Sequence, residues 1–157
     1  MTSSRRKARE FSLQMLYMLD IVKDSDFRSC LETYWDHFGQ SKDSRPFANQ
    51  LTQGVIKHLK EIDQAISGCS LNWKLSRMSY VDRNILRLAV FELLYCPDIP
   101  PKVSINEAIE ISKRYGDKDS GSFINGILDQ VFQQQNPASD PLVKNRENDA
   151  PEKASSS

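Results

Sequence analysis

The stretch Tyr80-Val81-Asp82-Arg83-Asn84-Ile85-Leu86-Arg87-Leu88-Ala89-Val90-Phe91-Glu92-Leu93-Leu94-Tyr95 decides the fold. Wound as a helix, Val81, Ile85, Leu86, Leu88, Ala89, Val90, Phe91, Leu93 and Leu94 make it apolar nearly all round. Such a helix must be covered on every side, so it predicts the centre of a helical bundle. Ser79-x-x-Asp82 resembles a capping box with the shorter acid, and Cys96-Pro97 ends the helix.

The flanking segments supply the cover. Downstream, Pro97 to Pro101 is a stiff connection and Ser104-Ile105-Asn106-Glu107 reads as a full capping box. The helix it opens carries Ile105, Ala108, Ile109 and Ser112 on one side and stops at Gly116. A last helix spans about Asp119 to Gln133, with Phe123, Ile124, Ile127, Leu128 and Val131. Gly126 inside it costs about 1 kcal/mol against Ala, which a close helix approach would explain. Upstream, Ala8, Phe11, Met15, Leu19 and Val22 step by three and four through a first helix, about Ser4 to Val22. Asp24-Ser25-Asp26 offers caps for a second, with Phe27, Leu31, Tyr34, Trp35 and Phe38 before Gly39. Pro46 suits the first turn of a long third helix carrying Phe47, Leu51, Val55, Leu59, Ile62 and Ile66 to near Gly68. Leu71 to Met78 reads as a short helical turn carrying Trp73. With no strand alternation and no repeat, the expected fold is an all-α compact bundle of about six or seven helices. Residues 1–135 form the domain, and the polar, proline-bearing residues 136–157 are expected to be a disordered tail.

Composition narrows the function. The 157 residues carry 21 basic and 21 acidic side chains, so any electrostatic steering must come from a patch. Cys30, Cys69 and Cys96 are odd in number and widely spaced, which is neither a disulfide framework nor a zinc pattern. No apolar run spans a bilayer, and no signal peptide is read, so a cytoplasmic protein is expected. His37 and His58 are the only histidines, and there is no phosphate-binding glycine loop and no nucleophile elbow. Catalysis, a metal and a cofactor are not expected.

The patch is Arg5-Arg6-Lys7-Ala8-Arg9, four cations in five residues. On a helix Arg5, Arg6 and Arg9 fall within about a 100° arc, opposite the apolar stripe, with Lys7 beside it. Arginine suits phosphates and bases because its planar fork donates in pairs and stacks. The cluster reads as a solvated helix start or as a ligand site, and because cations oppose the dipole at a helix N-terminus its cost to the helix favours the second. Leu13, Leu16 and Tyr17 continue the arginine face, either against another helix of this chain or against a partner. Asp117-Lys118-Asp119-Ser120 with Phe123 marks a second loop-to-helix junction, read as N-caps plus a core phenylalanine or as an anion site with a stacking ring.

Three blocks together resemble the NusB family of bacterial transcription antitermination factors. The first is Arg5-Arg6-Lys7-Ala8-Arg9-Glu10 with Gln14 and Leu16-Tyr17. The second is Leu75-Ser76-Arg77-Met78 with Val81-Asp82-Arg83-Asn84-Ile85-Leu86-Arg87-Leu88-Ala89 and Phe91-Glu92-Leu93. The third is Ile99-Pro100, then Val103-Ser104-Ile105-Asn106-Glu107-Ala108-Ile109-Glu110, Ser112-Lys113, and Phe123-Ile124-Asn125-Gly126-Ile127-Leu128-Asp129. The resemblance covers about residues 4–132 and implies a non-enzymatic protein that binds single-stranded boxA RNA of ribosomal RNA leaders. It implies joint binding with a small-subunit ribosomal protein acting as NusE, and assembly with other Nus factors and RNA polymerase. By position it implies RNA contacts at Arg5, Arg6, Lys7 and Arg9, with a second region at Asp119, Ser120 and Phe123. The implied partner surface lies near Tyr17 and Asp82; Ser76 stands where some relatives carry an acid. Some relatives form homodimers that cover the RNA face, so a homodimeric interaction module without direct RNA contact is the alternative. A fused RNA methyltransferase domain, also found in the family, is not expected in a chain of this length.

Overall fold

The structure, a computed structural model, describes residues 4–22, 27–38 and 42–135. Among them are seven α-helices and no strand: α1 Ser4–Val22, α2 Phe27–Phe38, α3 Arg45–Lys57, α4 Leu59–Cys69, α5 Tyr80–Tyr95, α6 Pro101–Tyr115 and α7 Ser120–Gln135, with a single 3-10 turn at Leu75–Arg77. The caps expected at Asp24–Asp26, the stop at Gly39 and the tail 136–157 lie outside the described residues.

Helix α5 is the centre, as its apolar surface requires. It packs against α1, α3, α4, α6 and α7. Ile85, Leu86, Leu88, Ala89, Val90 and Phe91 are buried in one large cluster with residues of all five neighbours. A smaller cluster joins Ala8 and Met15 of α1 to Leu31, Tyr34 and Trp35 of α2 and Ala48 of α3. Helix α1 therefore divides its apolar residues between two cores. Leu13 and Leu16 are 3% and 4% exposed in the large one, so that side of α1 packs against its own chain.

Several local readings are corrected. The long third helix is two helices, hinged at His58, whose backbone (φ −109°, ψ 22°) leaves the helical region. The break fits α5 beneath it. A Cβ on Gly54 would sit 2.1 Å from the Phe91 ring, and the His58 ring stacks on Tyr95 at 3.9 Å. The turn expected over Leu71 to Met78 shrinks to Leu75–Arg77 and leaves Trp73 outside it. The box at Ser79 is half formed: its hydroxyl accepts the Asp82 N–H at 3.0 Å, but Asp82 Oδ1 is buried without a hydrogen bond. Ser104 caps nothing. Helix α6 already starts at Pro101, which needs no N–H at that position, and the buried Ser104 hydroxyl donates to Glu92 Oε1 at 2.9 Å. Gly126 is exposed, and a Cβ added there would meet nothing within 4 Å, so among the described residues no helix approaches closely at that point.

Candidate nucleic-acid interface

The first turns of α1 sort the basic cluster by burial. Arg5 and Lys7 are exposed. The Arg5 guanidinium lies 4.5 Å over the Phe47 ring, a cation–π contact that steadies it without neutralising it. Arg6 makes a two-pronged bond to Glu107 of α6, at 2.7 and 2.9 Å, and keeps 35% of its side chain exposed. Those bonds raise its pKa further. Arg9 points inward. It is 3% exposed, it grips Glu92 of α5 with bonds of 2.8 and 2.7 Å, and Ser104 supplies that carboxylate with a third donor. The expectation of three guanidiniums on one solvent face is thus corrected. A buried acid on the central helix, with a hydroxyl beside it, draws Arg9 into the bundle, and a partly buried acid holds Arg6 against α6.

Helix α3 completes this end of the molecule. The buried Ser44 hydroxyl donates to the Ser4 carbonyl at 3.0 Å, and the Ser12 and Thr52 hydroxyls meet at 2.8 Å. These bonds bring Arg45 and Phe47 to the α1 start, although neither residue stands out in the sequence. The exposed Arg45 guanidinium lies 5.3 Å over Trp35.

The second expected region is built as a cap. The Asp117 N–H donates to the Ser120 hydroxyl at 3.0 Å, and Asp117 Oδ1 accepts the Asp119 N–H at 2.9 Å. Ser120 is 1% exposed and Phe123 packs partly buried against the large core, while Asp119 is exposed. The tight loop needs Gly116, whose Cβ would come 2.5 Å from the Ser120 hydroxyl. Beside it lies an open concavity of about 540 Å³ lined by Lys113, Lys118, Ser122 and Asn125 among others. Helix α6 connects the two regions: Arg6 reaches Glu107, and Arg114 reaches Glu10 at 3.2 Å. No hydrogen bond or ion pair among the described residues joins Asp119, Ser120 or Phe123 directly to the basic cluster.

Tyr17 is brought against the start of α5, the helix that also carries Asp82. Tyr17, 39% exposed, meets Tyr80 edge to face at 5.9 Å, and Tyr80 stands two residues before Asp82. Tyr80 is 40% exposed and carries the Arg83 guanidinium 4.9 Å over its ring. Its place beside Tyr17 depends on α1 and α5 lying together, which no local pattern reveals. Among the described residues no group of His, Cys, Asp or Glu could hold a metal ion, and no helix is long and apolar enough to cross a membrane.

A model of the NusB family matches residues 6–133. The chain belongs to the NusB family. It is 53% identical over 128 residues to the transcription antitermination protein NusB of Syntrophus aciditrophicus, covering 82% of this chain and 79% of that one. It is 48% identical over 134 residues to the NusB of Desulfitobacterium hafniense, covering 85% and 90%. Among solved structures it is similar to NusB of T. maritima, at 41% identity and a TM-score of 0.75, covering 85% of this chain and 94% of that one. It is also similar to a chain in a complex of the antitermination factors NusB and NusE with double-stranded RNA, at 27% identity and a TM-score of 0.76, covering 85% and 99%. This NusB-family chain is thus an all-α transcription antitermination protein.

Proposed function

We propose that this chain acts in the cytoplasm, without catalysis, by binding single-stranded boxA RNA of ribosomal RNA leaders jointly with a small-subunit ribosomal protein acting as NusE. The observation that carries the reading is the division of labour at the α1 start. Arg9 and Arg6 tie the helix to α5 and α6, while Arg5 lies over Phe47 at the surface and Lys7 is exposed. Arg5 and Lys7 are the primary phosphate contacts, Arg6 can exchange Glu107 for a phosphate, and Arg9 positions the helix from inside. Asp119 and the exposed rim of Phe123 offer the second RNA contact, with Ser120 shaping the loop. Tyr17, Tyr80 and Asp82 form the surface for the ribosomal protein, and the assembled pair joins other Nus factors and RNA polymerase.

A homodimeric interaction module is the weaker reading, because Leu13 and Leu16 are buried in the chain's own core and only the Tyr17 corner remains. A gel-shift titration on boxA-like and scrambled RNA, with and without the ribosomal protein, tests the proposal. Arg5→Ala plus Lys7→Ala is expected to weaken boxA-like binding with the fold and partner binding intact. Unchanged RNA affinity in that variant would sink the RNA reading.

A further inference from the structure

The loop between α4 and α5, which carries Ser76 of the implied partner surface, also opens a concavity that Ser76 does not line and the basic cluster does not use. Trp73 is 54% exposed and Leu71 89% exposed. The Trp73 backbone is fastened on both sides: its N–H donates to the Ser70 carbonyl at 3.3 Å, and its carbonyl accepts the Ser70 hydroxyl at 2.7 Å. The next turn is closed by the Arg77 N–H on the Lys74 carbonyl at 2.9 Å. A large aromatic ring is therefore held in water by a turn that could have been closed with a small residue. The chain's other tryptophan, Trp35, is 3% exposed and bonds Asn49.

Trp73, Lys74 and Arg77 line one open concavity of about 480 Å³, with Ser67, Ser70 and Asn72. No acid lines it, and among the described residues neither Lys74 nor Arg77 enters an ion pair. A flat exposed ring flanked by two uncompensated cations and by hydroxyl and amide groups suits a strand with stacking bases and regularly spaced phosphates. Leu71 and Leu75 also line the concavity, so it is the two cations without an acid beside them that favour a polyanion over an apolar helix of a protein partner.

We propose that the Trp73–Lys74–Arg77 surface is a second, sequence-tolerant subsite for single-stranded RNA, with Trp73 stacking a base and the two cations holding phosphates. The proposal rests on the RNA-binding reading above and extends it to nucleotides flanking the boxA-like core. The surface adjoins Ser79, which caps α5, whereas Arg9 holds Glu92 near the other end of that helix. Thirteen residues of helix separate those points by about 20 Å, a gap that roughly six stacked nucleotides would span.

The test uses the full chain and single-stranded RNAs: a boxA-like core, and that core with an oligouridine extension at either end. Binding is followed by gel shift and by tryptophan fluorescence, in which Trp73 is the ring accessible to bases. One extended RNA is expected to bind about tenfold tighter than the core and to add quenching. That gain should vanish in Trp73→Ala and in Lys74→Ala plus Arg77→Ala, and largely persist in Trp73→Phe, which keeps a ring. All three sites are exposed, so thermal melting should match the wild type. Equal affinity for core and extended RNA, or a gain that survives Trp73→Ala, overturns the inference. So does a Trp73→Ala variant that loses the ribosomal protein while binding both RNAs normally, which would make the surface a protein dock. Arg5→Ala plus Lys7→Ala separates the two claims: normal core binding there defeats the first reading, whereas loss there with no effect at Trp73 defeats only this one.

Discussion

The two ends of the α1–α5 pair are fastened by ion pairs of opposite sense. At one end the cation is on α1 and the acid on α5, in Arg9–Glu92. At the other the acid is on α1, where Asp20 receives Arg83 at 2.7 Å and Arg87 at 3.2 Å, with Asn84 as a further donor at 3.0 Å. Arg87 also grips Asp63 of α4. Residue 9 lies by 92 and residue 20 by 83, so the helices are antiparallel. A reversed or slipped α1 would place like charges together, which makes the pairing a register lock as well as a source of stability. The ends also differ in solvent. Arg9 and Glu92 side chains are 4% and 2% exposed, while Arg83 and Asp20 are 11% and 12% exposed. The drier end sits under the exposed Arg5 and Lys7, and the wetter end sits beside Tyr17 and Tyr80.

The sharpest way to break this comparison is at the dry end. Glu92→Ala strands the Arg9 guanidinium in the core and is expected to cost about 3–5 kcal/mol in urea unfolding. Arg9→Met plus Glu92→Leu should recover most of that loss, because no orphan charge remains. Asp20→Ala is expected to cost less, about 2 kcal/mol, since Arg87 keeps Asp63 and Arg83 keeps the Leu75 carbonyl and some water. An equal or larger loss at Asp20 would reverse the ranking of the two ends.

A smaller effect probes the field at the dry end. Burial first, then Glu92 and Asp98, push the Cys96 thiol up to about 11. The folded state thus favours the protonated thiol. Its contribution is full below the ordinary value of about 8.5 and fades as pH rises toward the folded value. The wild-type unfolding midpoint should therefore fall more steeply with alkaline pH than that of Cys96→Ala. Parallel midpoint curves would contradict the assignment. The smallest change is Glu107→Gln, which weakens the hold on Arg6. RNA should bind more tightly at an unchanged salt slope, because Arg6 no longer has to leave a carboxylate for its phosphate, with little change in melting.

How much of this is legible in the sequence follows the range of the interactions. Helix α5 is legible because its apolar pattern is local, and so are α1 and α2 as helices. The break at His58 is not, because it answers to Phe91 and Tyr95 on another helix. Ser104 and Glu107 carry a cap motif, yet Pro101 starts the helix early and frees both side chains for Glu92 and Arg6. Arg9 shows the limit most clearly. Helical geometry puts it on the arginine face, but its partner lies 83 residues away, and a buried carboxylate overrides the local pattern. Arg45 and Phe47 reach the basic cluster through Ser44 and Ser4, 40 residues apart, which no local spacing reveals.

The central claim is that Arg5 and Lys7 contact RNA while Arg9 holds the helix that displays them. Its most direct test is the slope of log K against log salt for boxA-like RNA. Arg5→Ala plus Lys7→Ala is predicted to lower the slope magnitude by about 1.4, at two phosphates and 0.7 each, with wild-type melting. Arg9→Met plus Glu92→Leu is predicted to keep the wild-type slope. A slope that is unchanged in the first variant and reduced in the second would contradict the account.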